Sequence, residues 1–168
     1  MLRFVTVFFL VLIGLFTLEL LESVHSQVIE PFTGGLAWLS AQLIFPFDDT
    51  VVFYGKVLRD PASGFAVSIE AGCNGVEATI VLIAAVVAFP AQWKHRLAAI
   101  GIGFLAIQSM NIGRIISLFY LGQWNLDIFT WVHLYLWPVL IMLDVLLVFM
   151  LYLRFLNSQT VTENSSND

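Results

Sequence analysis

Apolar positions along this chain gather in long runs, and polar ones mark the gaps between them. The first run covers residues 4–21, directly after Arg3. It is longer than the roughly 7–15 residues of a signal-peptide core. It therefore predicts a retained membrane helix, although Val24-His25-Ser26 offers a passable cleavage site. Three further runs predict spans at about residues 73–90, 97–121 and 131–153. Short loops at residues 91–96 and 122–130 separate them, and Arg154 closes the last. Residues 157–168 are polar and predict a disordered cytoplasmic tail. The pattern predicts an all-α polytopic membrane protein with about four transmembrane helices, in a single membrane-embedded domain over residues 1–156.

Two segments follow a different rhythm. Residues 32–47 are apolar but interrupted by Gly34, Gly35 and Pro46, and they are too short to span comfortably. They predict an interfacial helix or a re-entrant piece. In residues 51–70, Val51, Val52, Phe53 and Tyr54 favour strand, and Phe65, Val67 and Ile69 alternate with Ala66, Ser68 and Glu70. Asp60-Pro61-Ala62-Ser63-Gly64 between them is a turn signal. The segment predicts a short β-hairpin outside the bilayer, before the second span.

Composition agrees with lipid as the solvent. Of 168 residues, 60% are hydrophobic and 11% charged, against roughly 25% charged in soluble domains. The acids behind the net charge of -5 lie mostly in loop regions and the tail, and no basic patch suggests nucleic acid. Charge placement sets the orientation. Arg3, Lys94-His95-Arg96 and Arg154 all fall on the cytoplasmic side if the chain starts inside and crosses four times. The 22–70 loop carries Lys56 and Arg59 but also Glu22, Glu30, Asp48, Asp49, Asp60 and Glu70, and residues 122–130 hold no Lys or Arg. Both termini are thus expected in the cytoplasm. The hairpin is expected outside, which in a bacterium with an inner membrane is the periplasm.

That topology places three reactive residue types at one face. Cys73 is the only cysteine. It is either a small core residue or a reactive thiol. It falls at the outer end of the second span, bracketed by Gly72 and Gly75, where the N–H groups of a helix start would stabilise a thiolate. Glu77 follows at i+4. Arg114 lies in the third span, roughly 10 Å below its outer end. A charge there costs at least about 2.5 kcal/mol, so it normally faces the bundle interior or a wet cavity. Gln108, Asn111 and Ser117 extend a polar stripe around it. Alternatively, Arg114 pairs structurally with Glu77 or snorkels to the interface. His133 starts the fourth span among Trp131, Tyr135 and Trp137, the company of an interfacial aromatic belt. His25 is also expected outside and competes as a base. His95 falls in the cytoplasmic loop. Asp144 lies about 16 Å deeper than His133 and predicts a polar contact between helices.

Cys, His and Arg suffice for acyl transfer: a nucleophile, a proton carrier and an oxyanion stabiliser. No metal-ligand spacing, phosphate loop, dinucleotide fingerprint or serine elbow is present, and no cofactor is expected.

The stretches Ala71-Gly72-Cys73-Asn74-Gly75-Val76-Glu77-Ala78, Asn111-Ile112-Gly113-Arg114-Ile115 and Val132-His133 resemble the exosortase/archaeosortase family, in the family's order of Cys, Arg and His. The likeness covers roughly residues 50–140. The short length and the form of the Cys73 motif resemble the exosortase H subgroup, which is associated with tails opening on an Ile-Pro-Thr-Leu-like motif. The resemblance implies a membrane cysteine transpeptidase or protease. Its partners would be exported proteins ending in a short motif, a transmembrane helix and a basic cluster. Cys73 would be the nucleophile, His133 the acid/base and Arg114 the thiolate or oxyanion stabiliser. Asn74, Glu77 and Asn111 are possible supporting residues, although many exosortases carry Ser where Asn74 stands. A competing class is a non-enzymatic transport or assembly module in which Arg114 and Glu77 form a structural polar pair. Other intramembrane proteases rank low, because no serine–histidine motif or aspartyl pair is set in the apolar helices.

Overall fold

The computed structural model describes residues 2–165. In order, the helices are α1 (Leu2–Glu19), α2 (Glu22–Val24), α3 (Glu30–Ile44), α4 (Val76–Ala88), α5 (Trp93–Trp124), α6 (Leu126–Trp131) and α7 (Trp137–Ser165). Two π-helical stretches, His25–Ile29 and Val132–Leu136, lead into α3 and α7. Each is followed by a proline at its second residue on, Pro31 and Pro138. Proline cannot donate to the carbonyl four residues back and its ring crowds that carbonyl, so a widened turn relieves both problems.

Three helical stretches are long and apolar enough to cross a membrane: Leu2–Glu19, Trp93–Trp124 and the continuous rod Leu126–Gln159. The expected second span is shorter than its apolar run. α4 has 13 residues, about 20 Å, against a hydrocarbon core of about 30 Å. Gly75, at φ 75°, stops it at one end. At the other, Phe89 is extended ahead of Pro90, as a residue before proline prefers.

Both expected loops between spans contract. Lys94, His95 and Arg96 belong to the first turn of α5, leaving residues 89–92 as the connection. In place of a 122–130 loop, Asn125 alone separates α5 from α6. It is extended at φ -158°, and its Oδ1 accepts from the N–H groups of Asp127 and Ile128 at 2.8 and 3.1 Å. A single N-cap therefore makes the break. Likewise α7 runs on to Ser165 through most of the expected disordered tail. No Gly or Pro stops it there, and an established helix propagates at one hydrogen bond per residue. Residues 166–168 of that tail lie outside the described residues.

α4 sits at the centre of the bundle, with α1, α5 and α7 packed on it. Its buried Ala78, Leu82 and Val86 meet Ile107 of α5 and Ile141 and Val145 of α7. α5 comes close at Gly103, where a Cβ would lie 2.3 Å from Leu82 Cδ2. A second apolar cluster lies toward the far half of α5. There Leu36, Ala37, Ala41 and Ile44 of α3 and Leu58 of the sheet pack against Ile115 and Phe119. α3 runs straight through Gly34 and Gly35 as one helix that ends before Pro46.

The predicted hairpin is a three-stranded antiparallel sheet, in the order β1 (Val52–Tyr54), β2 (Val57–Arg59), β3 (Ala66–Ser68). The two strands expected to pair are separated by β2, with Phe53 opposite Leu58 and Leu58 opposite Val67. The predicted turn at residues 60–64 is present but joins β2 to β3. Asp60 closes it by accepting from Ala62 and Ser63 N–H at 2.8 and 3.0 Å.

Candidate active site

Residues 69–74 leave the sheet and turn into α4, carrying Cys73 between the two apolar clusters. The turn is tightly determined. Cys73 N–H donates to Glu70 O at 2.9 Å. Asn74, 1% exposed, accepts from Val76 N–H with Oδ1 at 3.1 Å and donates from Nδ2 to Thr33 Oγ1 at 3.3 Å. Thr33 belongs to α3 and in turn donates to Ile29 O. Gly75 packs against Gln108 of α5, where a Cβ would lie 2.8 Å from Nε2.

Gly72 is held through both of its backbone polar groups. Its N–H donates to the Glu77 carboxylate, and its carbonyl accepts from Arg114 Nη1 at 3.1 Å. The other Arg114 terminal nitrogen, Nη2, lies 3.2 Å from Cys73 Sγ. Arg114 is 4% exposed and its Nε has no partner. The expected pairing of Arg114 with Glu77 is not made. Among the described residues the one ion pair is Lys56 with Glu70. Glu77 and Arg114 instead hold the two successive peptide groups on either side of the Gly72 Cα.

His133 completes the site. It lies on the π-helical stretch and stacks on Phe129 one turn earlier, with ring centroids 5.7 Å apart and planes 8° apart. Its Nδ1 is buried without a partner. Cys73, Arg114 and His133, drawn from a turn and two different helices, line one pocket of about 140 Å³ with Phe129. Cys73 and His133 share the pocket, and among the described residues no hydrogen bond joins them.

The thiol's electrostatics differ from the expectation of a helix-start thiolate. Cys73 lies two positions ahead of the cap, Gly75, so the first-turn N–H groups of α4 do not reach it. The charge that does bear on the thiol is the Arg114 guanidinium, 3.2 Å from Sγ.

The other candidates separate. Asn111 is fully buried, and its Nδ2 donates to Gln108 Oε1 at 3.4 Å, so it supports the Gln108 that walls Gly75 and touches neither Cys73 nor Arg114 by hydrogen bond. Ser117 donates to the Arg114 carbonyl within its own helix. His25 lines a different pocket, on the other side of residues 69–74, with Glu30 and Lys56. His95 packs edge-on against Phe155 at the opposite end of the bundle. Asp144 Oδ2 is buried with no partner, so it does not make the expected contact between helices. Thr33 and Phe129 are the supporting residues that the sequence reading missed.

No family model matches the chain, and no curated protein or solved structure does either.

Proposed function

We propose that this chain is a membrane-embedded cysteine transpeptidase or protease of exosortase type, with Cys73, Arg114 and His133 as its catalytic residues. The observation that carries the reading is the shared pocket, in which a buried guanidinium rests on the only thiol and a histidine nitrogen lies free. Its substrates are exported proteins with a C-terminal sorting tail, as the exosortase H-like motif around Cys73 implies.

The chemistry follows from the resting state. An ordinary thiol, with a pKa of about 8.5, holds its proton at neutral pH, so attack is base-assisted. His133 takes the Sγ proton as sulfur bonds to the scissile carbonyl carbon, and the carbonyl electrons pass to oxygen. Arg114 stabilises the negative charge on sulfur and then on that oxygen. Collapse breaks the C–N bond, and the imidazolium protonates the departing amine of the tail. The thioester on Cys73 is then attacked by an acceptor whose proton passes to His133, and His133 returns a proton to sulfur as the C–S bond breaks. Water as acceptor gives hydrolysis; another nucleophile gives transfer.

In the membrane, α4 is the second of four crossings, beside the three long helical stretches. Its short length fits because the polar turn at residues 69–75 dips into the outer leaflet, capped by α3 and the sheet. Both termini are cytoplasmic, and the pocket opens toward the periplasm of a bacterial inner membrane. A tail helix lying in the bilayer would bring its junction with the motif to the level of Cys73.

The test is tail removal from a co-expressed tail-bearing protein, followed by gel mobility and mass at matched membrane levels. Cys73→Ala, Arg114→Ala and His133→Ala should each abolish processing, and His25→Ala should retain it. Full processing by Cys73→Ala would leave the assembly-module reading ahead.

A further inference from the structure

We propose that the pocket between α1, α4 and α5, at the end of the bundle opposite Cys73, binds the phosphate of an anionic membrane phospholipid. The pocket has a volume of about 440 Å³. Arg3 of α1 and Arg96 of α5 both line it, with Phe4, Val7 and Val87 as apolar walls. No carboxylate lines it, and neither arginine joins the one ion pair among the described residues.

Arg96 is held in place but only partly used. Its Nη2 donates to Phe89 O at 3.0 Å, the Tyr152 hydroxyl lies alongside, and its Nε is buried without a partner. A guanidinium carries five N–H donors, so several remain for an anion. Leaving a buried charged donor unpaired is costly, and a second guanidinium beside it adds repulsion that an anion would cancel. A phosphodiester suits such a pair, because its two free oxygens match the arginine fork.

Depth argues for a lipid. Arg96 and Arg114 stand 18 residues apart on α5 (114 − 96), about 27 Å along the helix and close to the thickness of a bilayer core of about 30 Å. With Arg114 about 10 Å below the outer end of the span, Arg96 reaches the headgroup level of the opposite leaflet. Trp93, 67% exposed one turn before it, fits that level. A lipid phosphate seated between the arginines would send its acyl chain along Phe4, Val7 and Val87. Free inorganic phosphate would leave that apolar wall unused.

The full chain, reconstituted in nanodiscs of equal parts phosphatidylcholine and phosphatidylglycerol, is extracted and its retained lipid counted by native mass spectrometry. Wild type should retain phosphatidylglycerol selectively. Arg3→Gln and Arg96→Gln should each lower that preference about fivefold, the equivalent of about 1 kcal/mol per basic side chain. Arg3→Gln matters most, because Arg3 does not hold the Phe89 carbonyl and its loss leaves that bond intact. Arg154→Gln, an exposed arginine outside the pocket, should change nothing. Undiminished preference in the double variant would overturn the site. An equal loss in Arg154→Gln would replace it with diffuse surface charge, and displacement of the lipid by inorganic phosphate would overturn the lipid as occupant.

Discussion

Gly75→Ala perturbs one of the two left-handed backbone positions that shape the Cys73 turn. Gly75 has φ 75° and caps α4, and an L-residue there costs roughly 1–2 kcal/mol. The new Cβ would also lie 2.8 Å from Gln108 Nε2 and 3.3 Å from its Oε1. Gln108 is 7% exposed and its Oε1 accepts from Asn111 Nδ2, so turning the amide away breaks a buried hydrogen bond, worth about 1 kcal/mol. Together the variant should lose about 2–3 kcal/mol. Two assays check this. The unfolding transition in detergent should fall, and alkylation of the half-buried Cys73 by iodoacetamide should quicken as the turn loosens. The steric part is separable. Gln108→Ala removes the obstacle but not the backbone strain, so the double variant should lose about 1 kcal/mol less than the sum of the two single variants. Additive losses, or a Gly75→Ala protein as stable as wild type, would refute the reasoning.

Two further predictions concern the same turn. Thr33→Val keeps the shape of the side chain but strands the Asn74 Nδ2 donor, and should cost about 1–3 kcal/mol; isosteric replacement without loss of thermal stability would count against a role for Thr33. The pH profile of Cys73 alkylation should respond to the charge beside the sulfur. Arg114→Gln removes the cation 3.2 Å from Sγ and should move the profile to higher pH.

What the sequence made legible was charge and chemistry at the ends of apolar runs. Cys73, Arg114 and His133 each lie toward the same expected face, and the structure brings them to one pocket. Helix boundaries were harder to read, because charge resembles loop whether or not a helix carries it, as with Lys94, His95 and Arg96. The strand Val57–Arg59 escaped notice because Leu58 is its one buried residue and Lys56 and Arg59 flank it. Cys73 read as a helix-start residue because an apolar run begins beside it, whereas positive φ at Gly72 and Gly75 delays the helix to Val76. Thr33 could not be matched with Asn74 from sequence, since 41 residues separate the two and only the packing of α3 brings them together. Gln108 did stand out as polar within a span. Its partner, a glycine, offers no side chain to betray the contact.

The central claim is that Cys73 carries the acyl group as a thioester. Its most direct test is the intact mass of the protein isolated from membranes together with a tail-bearing substrate, with acceptor-free washing and rapid acid quench, before and after hydroxylamine. The account predicts a hydroxylamine-labile adduct on the peptide containing Cys73, equal in mass to the substrate without its tail, and no adduct on Cys73→Ala. Tail removal that proceeds on the Cys73→Ala protein would contradict it.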